Sequence, residues 1–431
     1  MQTVLQGAPV VTTEASATDK PVRRRRSVNA EKCTGSFVLD DKIINLESFN
    51  QIQEKIPFAN TLFRALRKSK RLVAVVGAGI SVEAGIPDFR SQDGLFKTVK
   101  NTFNLKGNGK AMFDSSVYKD VETTRMFHSM INTLHLKSNE AKATSFHNFL
   151  SRLATDKRLL RLYTQNVDGL ELDLIGLQTI IPLPSRAPFP KTIQLHGGLT
   201  KMVCAKCGWL GQFDPQLFMQ SESPECDECK ELDSVREVVG KRAQGVGRLR
   251  PRIVLYNEAN PDAEAIGSVT TADLRARPDV LLVVGTSLQI PGVRRIVKEM
   301  AQAVRATGGT TIWINRDDPP AIKMLENVFD LQLRGDCQTL PLFLDKYEEL
   351  MGRPKRQRKM SYNKNISMDS SMNLTDVYRV VKKPKQIKRN IDQDIHNIDS
   401  VGHTDLNKTL GIVKSESDER ILYMDLTTPP K

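Results

Sequence analysis

Long apolar runs are missing from this 431-residue chain. The best of them, Val280-Leu281-Leu282-Val283-Val284, is far short of the ~20 residues a spanning helix needs, so a membrane protein is not expected. Residues Met1 to Lys20 lack a basic start followed by an apolar stretch, so no secretory signal is expected and cytosol or nucleus is the default. Apolar residues are scarce overall, at 39% against about 45–50% in a typical globular chain. Such a deficit points to a packed core diluted by polar tails. Positive charge is abundant, with a net +13, but residues 353–390 alone carry twelve Lys/Arg against two Asp. The middle of the chain is close to neutral. Duplex binding by a folded core is therefore not expected, since phosphate contacts need clustered Lys/Arg; DNA contact is left to the basic tails.

Length suggests two to three structural units at roughly 150 residues each. Residues 1–45, with Arg23-Arg24-Arg25-Arg26, and residues 353–431, basic and then acidic, show no apolar periodicity. Both tails are expected to be disordered, because they bury too little apolar surface to offset their ordering entropy. Three short basic clusters, at 23–26, 353–359 and 382–389, read as nuclear-import or polyanion patches and favour a nuclear location. Between the tails, short β-branched runs at 72–76, 159–163, 252–255, 280–284 and 311–314 alternate with helical stripes such as Phe146, Phe149, Leu150, Leu153 and Val293, Ile296, Val297, Met300. That alternation predicts an α/β fold, a Rossmann-like parallel sheet with helices on both faces. Ligands in such sheets bind at the carboxyl ends of strands, near a switch in strand order.

Gly77-Ala78-Gly79-Ile80-Ser81 follows the first run directly. Glycines there would let amides approach a phosphate, with a helix N-terminus behind them. The third glycine of a dinucleotide fingerprint is replaced by Val82, so this signal alone is weak. The loop continues through Asp88, Phe89 and Arg90: a carboxylate to read an amide, an aromatic face and a phosphate partner. Cysteine gives a firmer signal. Four of the six form Cys204-x-x-Cys207 and Cys226-x-x-Cys229 with eighteen residues between, the spacing of a zinc site. Four thiolates leave no open position, so the ion is structural, in a small module at about 199–245. Among the histidines, His128, His135 and His147 read as packing residues. His196 follows Thr192–Leu195, precedes Gly197-Gly198, and is the candidate general base.

Together these stretches resemble the sirtuins, the NAD-dependent protein deacylases, over roughly residues 50–350. The resemblance rests on Gly77–Ser81, Gly85–Arg90, Thr164-Gln165-Asn166-Val167-Asp168-Gly169, Leu195–Gly197, the cysteine tetrad, Gly285–Leu288 and Ile314–Asp317. It is closest to the fungal group that deacetylates a lysine in the core of histone H3. The resemblance implies a catalytic domain at 46–352, NAD and one zinc as cofactors, and acetylated histone and chromatin as partners, with no membrane. It places the pyrophosphate on Gly77, Ala78, Gly79 and Ser81, helped by Arg90 and by Gly285, Thr286 and Ser287. The nicotinamide pocket falls on Ile86, Asp88, Asn166 and Asp168, with Phe89 as a shield. Gln165 and Asn166 position ribose hydroxyls and a water; Asn315, Arg316 and Cys337 hold the adenine end. His196 is the implied base, the products being lysine, nicotinamide and O-acetyl-ADP-ribose. Substrate peptide would lie along Val254, Tyr256, Asn257 and Glu258. The chain departs from the family's usual Phe-Gly-Glu here, which leaves peptide preference open. An ADP-ribosyltransferase, a longer-chain deacylase and a non-catalytic zinc scaffold of chromatin are the alternatives.

Overall fold

The computed structural model describes residues 35–39, 56–89, 94–102 and 109–351. Residues 1–34, Cys33 among them, Arg90 and residues 352–431 lie outside the described residues. Within the segment 1–45 that was expected to be a disordered tail, Gly35–Leu39 instead pairs with Leu331–Gly335 as an edge strand, a partner about 300 residues away that no local periodicity reveals. Ten strands and eight α-helices are described. The strands are β1 (Gly35–Leu39), β2 (Leu72–Val76), β3 (Leu159–Thr164), β4 (Thr192–Gln194), β5 (Gly197–Cys204), β6 (Leu210–Gln212), β7 (Leu249–Ile253), β8 (Val280–Val284), β9 (Thr310–Asn315) and β10 (Leu331–Gly335). The helices are α1 (Ile56–Lys68), α2 (Leu95–Thr102), α3 (Val121–Glu140), α4 (Ser145–Thr155), α5 (Asp227–Val238), α6 (Ala263–Arg275), α7 (Pro291–Ala306) and α8 (Thr339–Met351).

Seven strands form one sheet in the order β1-β10-β9-β8-β2-β3-β4, and every pairing in it is parallel. Strands β2 and β8 are buried along their whole length, as continuous apolar runs in a doubly covered sheet must be. Alternation divides them between two cores. Leu72, Ala74 and Val76 meet α1, α4 and α8 through Leu62, Leu150 and Phe343. Val73 and Val75 face α6 and α7 through Val269, Val293 and Val297. Pro291 opens α7 at a position where its missing N–H costs nothing. The chain runs outward from β2 through β3 and β4, then returns to β8 on the other flank of β2. The switch in strand order therefore lies between the carboxyl ends of β2 and β8.

One expected strand belongs elsewhere. The run at 252–255 was placed with the parallel sheet by its composition; instead β7 pairs antiparallel with β5, which also pairs with β6. An apolar run reads the same in either sheet, and only the distant partner decides. This second sheet carries the cysteine cluster, and a third core joins it to α2, α3 and residues 109–119 through Phe127, Ile131, Phe213 and Phe218. The end of the Pro-rich segment 183–190 is tied to α6: Arg161 donates to the Phe189 and Pro190 carbonyls and grips Asp273 of α6 at 2.8 and 2.9 Å. No helix among the described residues is long and apolar enough to cross a membrane.

Candidate active site and zinc centre

The loops after β2 and β8 meet at the switch point. The Gly77 N–H donates to Val284 O at 3.0 Å and the Gly79 N–H to Gly285 O at 2.9 Å. A Cβ on Gly79 would fall 2.6 Å from Gly285 Cα, and Gly285 itself has φ +61°. The glycines are thus required for one loop to lie on the other, and these two amides are spent on that contact, not left for a phosphate. No regular helix N-terminus follows, only two short 3-10 turns at Ala78–Ile80 and Val82–Ala84, so the dipole expected behind the loop is absent there.

A cleft of about 1240 Å³ opens above this junction, larger than the roughly 300–1,000 Å³ of ordinary small-molecule pockets. Gly77, Ala78, Gly79, Asp88, Phe89, Gln165, His196, Gly285, Thr286, Ser287, Asn315, Arg316 and Cys337 all line it, so residues scattered over 260 positions converge on one concave surface. Ser81, Ile86, Asn166 and Asp168 do not line it; they form the layer beneath. Asn166 Nδ2 donates to Ser81 Oγ at 3.1 Å, and the Ser81 hydroxyl in turn serves Asp168. Burial raises the Asp168 carboxyl above the usual range despite the Leu170 N–H it accepts. Gln165 ties the floor together, donating from Nε2 to Val76 O and to Thr286 Oγ1 at 2.9 Å. Phe89 packs edge-on to Phe113 at 5.3 Å and against Phe96 at 5.8 Å, an apolar wall beside Asp88. At the other end Arg316 pairs with Asp336 at 2.9 Å, and the buried Cys337 thiol lies against Gly79 O with its pKa pushed up by burial.

His196 stands where the chain leaves the parallel sheet for the antiparallel one. Its Nδ1 lies 3.0 Å from Gln165 O. A carbonyl only accepts, so Nδ1 carries the proton and Nε2 keeps its lone pair. Burial lowers its pKa, with the Gln165 bond opposing, so the ring is a neutral base at pH 7. His128 and His147 are fully buried with pKa values pushed down to about 4 by desolvation, consistent with packing roles. His147 Nδ1 also accepts the Thr144 N–H at the start of α4.

Val254, Tyr256, Asn257 and Glu258 line the same cleft. Three main-chain donors of this stretch are already taken: Val254 N–H by His196 O, Tyr256 N–H by Phe113 O, and Leu255 N–H by the Glu258 carboxylate. Glu258 also grips Arg250 with both oxygens at 2.8 Å, and Arg250 lies over Tyr118 at 5.0 Å. Glu258 therefore braces the segment from within. Asn257 adopts φ +62°, which asparagine tolerates better than most residues, and its amide donates to Asp114. Arg250 and Asn260, whose Nδ2 holds Leu195 O at 2.8 Å, were not read from the sequence. Neither sits in a motif, and each acts through a partner found only in the fold.

The four cysteines of the tetrad are unbridged thiols, and their sulfurs all lie within 4.8 Å of one another. Cys204 and Cys229 are 3.7 Å apart, Cys207 and Cys226 3.8 Å. A tetrahedral ion with Zn–S near ~2.3 Å requires S···S separations of about 3.8 Å. The fit is close. Zinc here ties the β5–β6 turn to the first turn of α5. The surrounding unit extends past 199–245, since β7 closes its sheet.

A model of the Sir2 family matches residues 77–292. The chain belongs to the Sir2 family. Among its relatives, the NAD-dependent protein deacetylase hst4 of Emericella nidulans is 48% identical over 74% of this chain and 53% of its own length, so the match spans about half of that protein. The NAD-dependent protein deacetylase hst4 of Schizosaccharomyces pombe is 44% identical over 85% of this chain and 87% of its own. The NAD-dependent histone deacetylase HST4 of Saccharomyces cerevisiae is 44% identical over 64% and 75%. The Sir2-family match spans the glycine loop, the histidine and the tetrad together.

Proposed function

We propose that this chain is an NAD-dependent protein-lysine deacetylase acting on acetylated histones, histone H3 first among them, in nuclear chromatin. The observation that carries this reading is the locked tautomer of His196, whose unprotonated Nε2 belongs to the cleft lined by both glycine loops and by Val254–Asn257. The names of the relatives support the NAD dependence and the histone substrate.

When bound, NAD supplies an electrophilic sugar carbon as nicotinamide departs, and its ADP-ribose accepts the acetyl group. His196 Nε2, unprotonated at neutral pH, would be the group to take up a ribose hydroxyl proton. Gln165, fixed by Val76 O and Thr286, orients the sugar, and Asn166 supports it from the layer below. Asp88 offers a carboxylate to an amide. Phe89, Phe96 and Phe113 keep bulk water from the reacting face. Asn315, Arg316 and Cys337 close around the adenine end, and Val254, Tyr256 and Asn257 flank the substrate chain. The catalytic unit of residues 46–352 extends upstream to take in the edge strand Gly35–Leu39.

The test is nicotinamide release from acetylated histone peptides, with and without NAD. His196→Ala should abolish turnover and leave NAD binding by calorimetry within a few-fold. Deacetylation that persists without NAD, or a His196→Ala protein as active as the native one, refutes the reading.

A further inference from the structure

The cleft does not end at His196. Past Val254 and Asn260 it continues between α6 and α7, walled by Ile266, Gly267 and Thr270 on one side and Ile290, Gly292 and Ile296 on the other. A Cβ on Gly267 or on Gly292 would meet no atom within 4 Å. Neither glycine is therefore needed for close packing, and Gly267, inside α6, costs up to about 1 kcal/mol relative to alanine. Both positions are exposed and border the channel, so a bulky side chain at either has room to enter it. Its polar groups have partners: the Thr270 hydroxyl donates to Ile266 O at 2.8 Å, and at the far end Arg295 pairs with Glu299 at 2.8 Å. An apolar occupant fits such a lining.

The occupant follows from continuity with the substrate segment. The N–H groups of Val254, Leu255 and Tyr256 are all spent internally, so a substrate chain finds no main-chain donor at these three residues. Side chains then carry more of the recognition there. From Ala263 to Thr271 helix α6 rises about 12 Å, the length of about four residues of extended chain.

We propose that the α6–α7 channel is a specificity subsite that seats an aliphatic side chain of the substrate polypeptide flanking the acetyl-lysine. This rests on the deacetylase reading above.

The test uses two fluorescein-labelled peptides centred on acetyl-lysine. One has alanine at every flanking position; the other carries isoleucine at the flanking positions on either side. Native enzyme should favour the isoleucine peptide in kcat/KM and in binding by roughly 10- to 100-fold, the effect of burying one aliphatic side chain. Gly267→Leu, which fills the channel from an open helical position, should erase that preference and leave the alanine peptide within about twofold. No preference in the native enzyme, or an equal loss on both peptides, overturns the proposal. If neither peptide turns over with NAD, anisotropy without NAD still decides: a preference lost in Gly267→Leu keeps the subsite while the deacetylase reading falls. A change in sedimentation with peptide preference intact would mean that a second copy of the chain occupies the channel, which also overturns it.

Discussion

Glu171 gives a prediction that separates buried charge from catalysis. It is fully buried behind β3, and neither carboxylate oxygen meets a partner in hydrogen-bonding geometry; the Thr164 hydroxyl and the Asp168 carboxyl are its polar neighbours. Desolvation, then repulsion from Asp168, pushes its pKa up to about 8 from an ordinary 4.5. At pH 7 it is a neutral acid. Between about pH 4.5 and pH 8 the folded chain keeps a proton that the unfolded chain has released. Its contribution to stability is therefore complete below pH 4.5 and lost as pH rises toward 8. One proton corresponds to at most about 1.4 kcal/mol per pH unit, so the native protein should lose on the order of 2–3 kcal/mol from this group between pH 6 and 8. Glu171→Gln resembles the protonated acid in shape and cannot ionise. Urea denaturation of both proteins at pH 6, 7 and 8 should show the variant gaining on the native protein by that amount. Curves that stay parallel within about 0.5 kcal/mol would mean that Glu171 ionises freely in the fold, and the reasoning would fail.

Other consequences follow from the same physics. His128 and His147, both pushed down to about 4 by burial, work in the opposite sense: stability should fall as pH drops from about 6.5 toward 4, and replacing either with glutamine should flatten that slope in acid titration. For His196, whose lowered pKa comes from burial, the acid limb of kcat/KM should have its midpoint below 6.5; a midpoint above 7 would exclude it as the base. Glu258→Ala strands Arg250 in a largely buried setting, at a cost of about 3 kcal/mol. It should raise the peptide KM severalfold while NAD affinity stays put, and equal loss of both would refute its role as a brace. Cys226→Ser should release the ion, measured by zinc analysis, and unfold the module around α5; a zinc-free protein with native circular dichroism would contradict a structural site.

What could be read from the sequence was whatever sits on one continuous stretch. The strand at 72–76, the two Cys-x-x-Cys turns and the stripe of α7 each carry their own local signal, and each forms as expected. The failures share a cause. The strand at 249–253 was misplaced because an apolar run does not say which sheet will pair with it. That the Gly77 and Gly79 amides bond the loop after β8 could not be read, because their partners lie some 200 residues away. Arg250, Asn260 and the α6–α7 channel are invisible for the same reason: no spacing rule links a side chain to a partner supplied by another element.

The position of His196 shows how distance along the chain becomes geometry. Leu195 N–H still bonds Thr164 O, continuing the parallel register from β4 to β3, while His196 O already accepts Val254 N–H on the side of the second sheet. The residue therefore belongs to both. A turn this sharp needs Gly197, which has φ +71° and whose Cβ would fall 2.1 Å from Arg252 O. Any side chain there would push β7 from β5, and with it the segment 254–257 that shares the cleft. Gly197→Ala should consequently damage peptide binding and the histidine together, whereas Gly267→Leu should touch only the flanking subsite. The two glycine variants thus separate the one glycine that closes the site from the one that keeps its extension open.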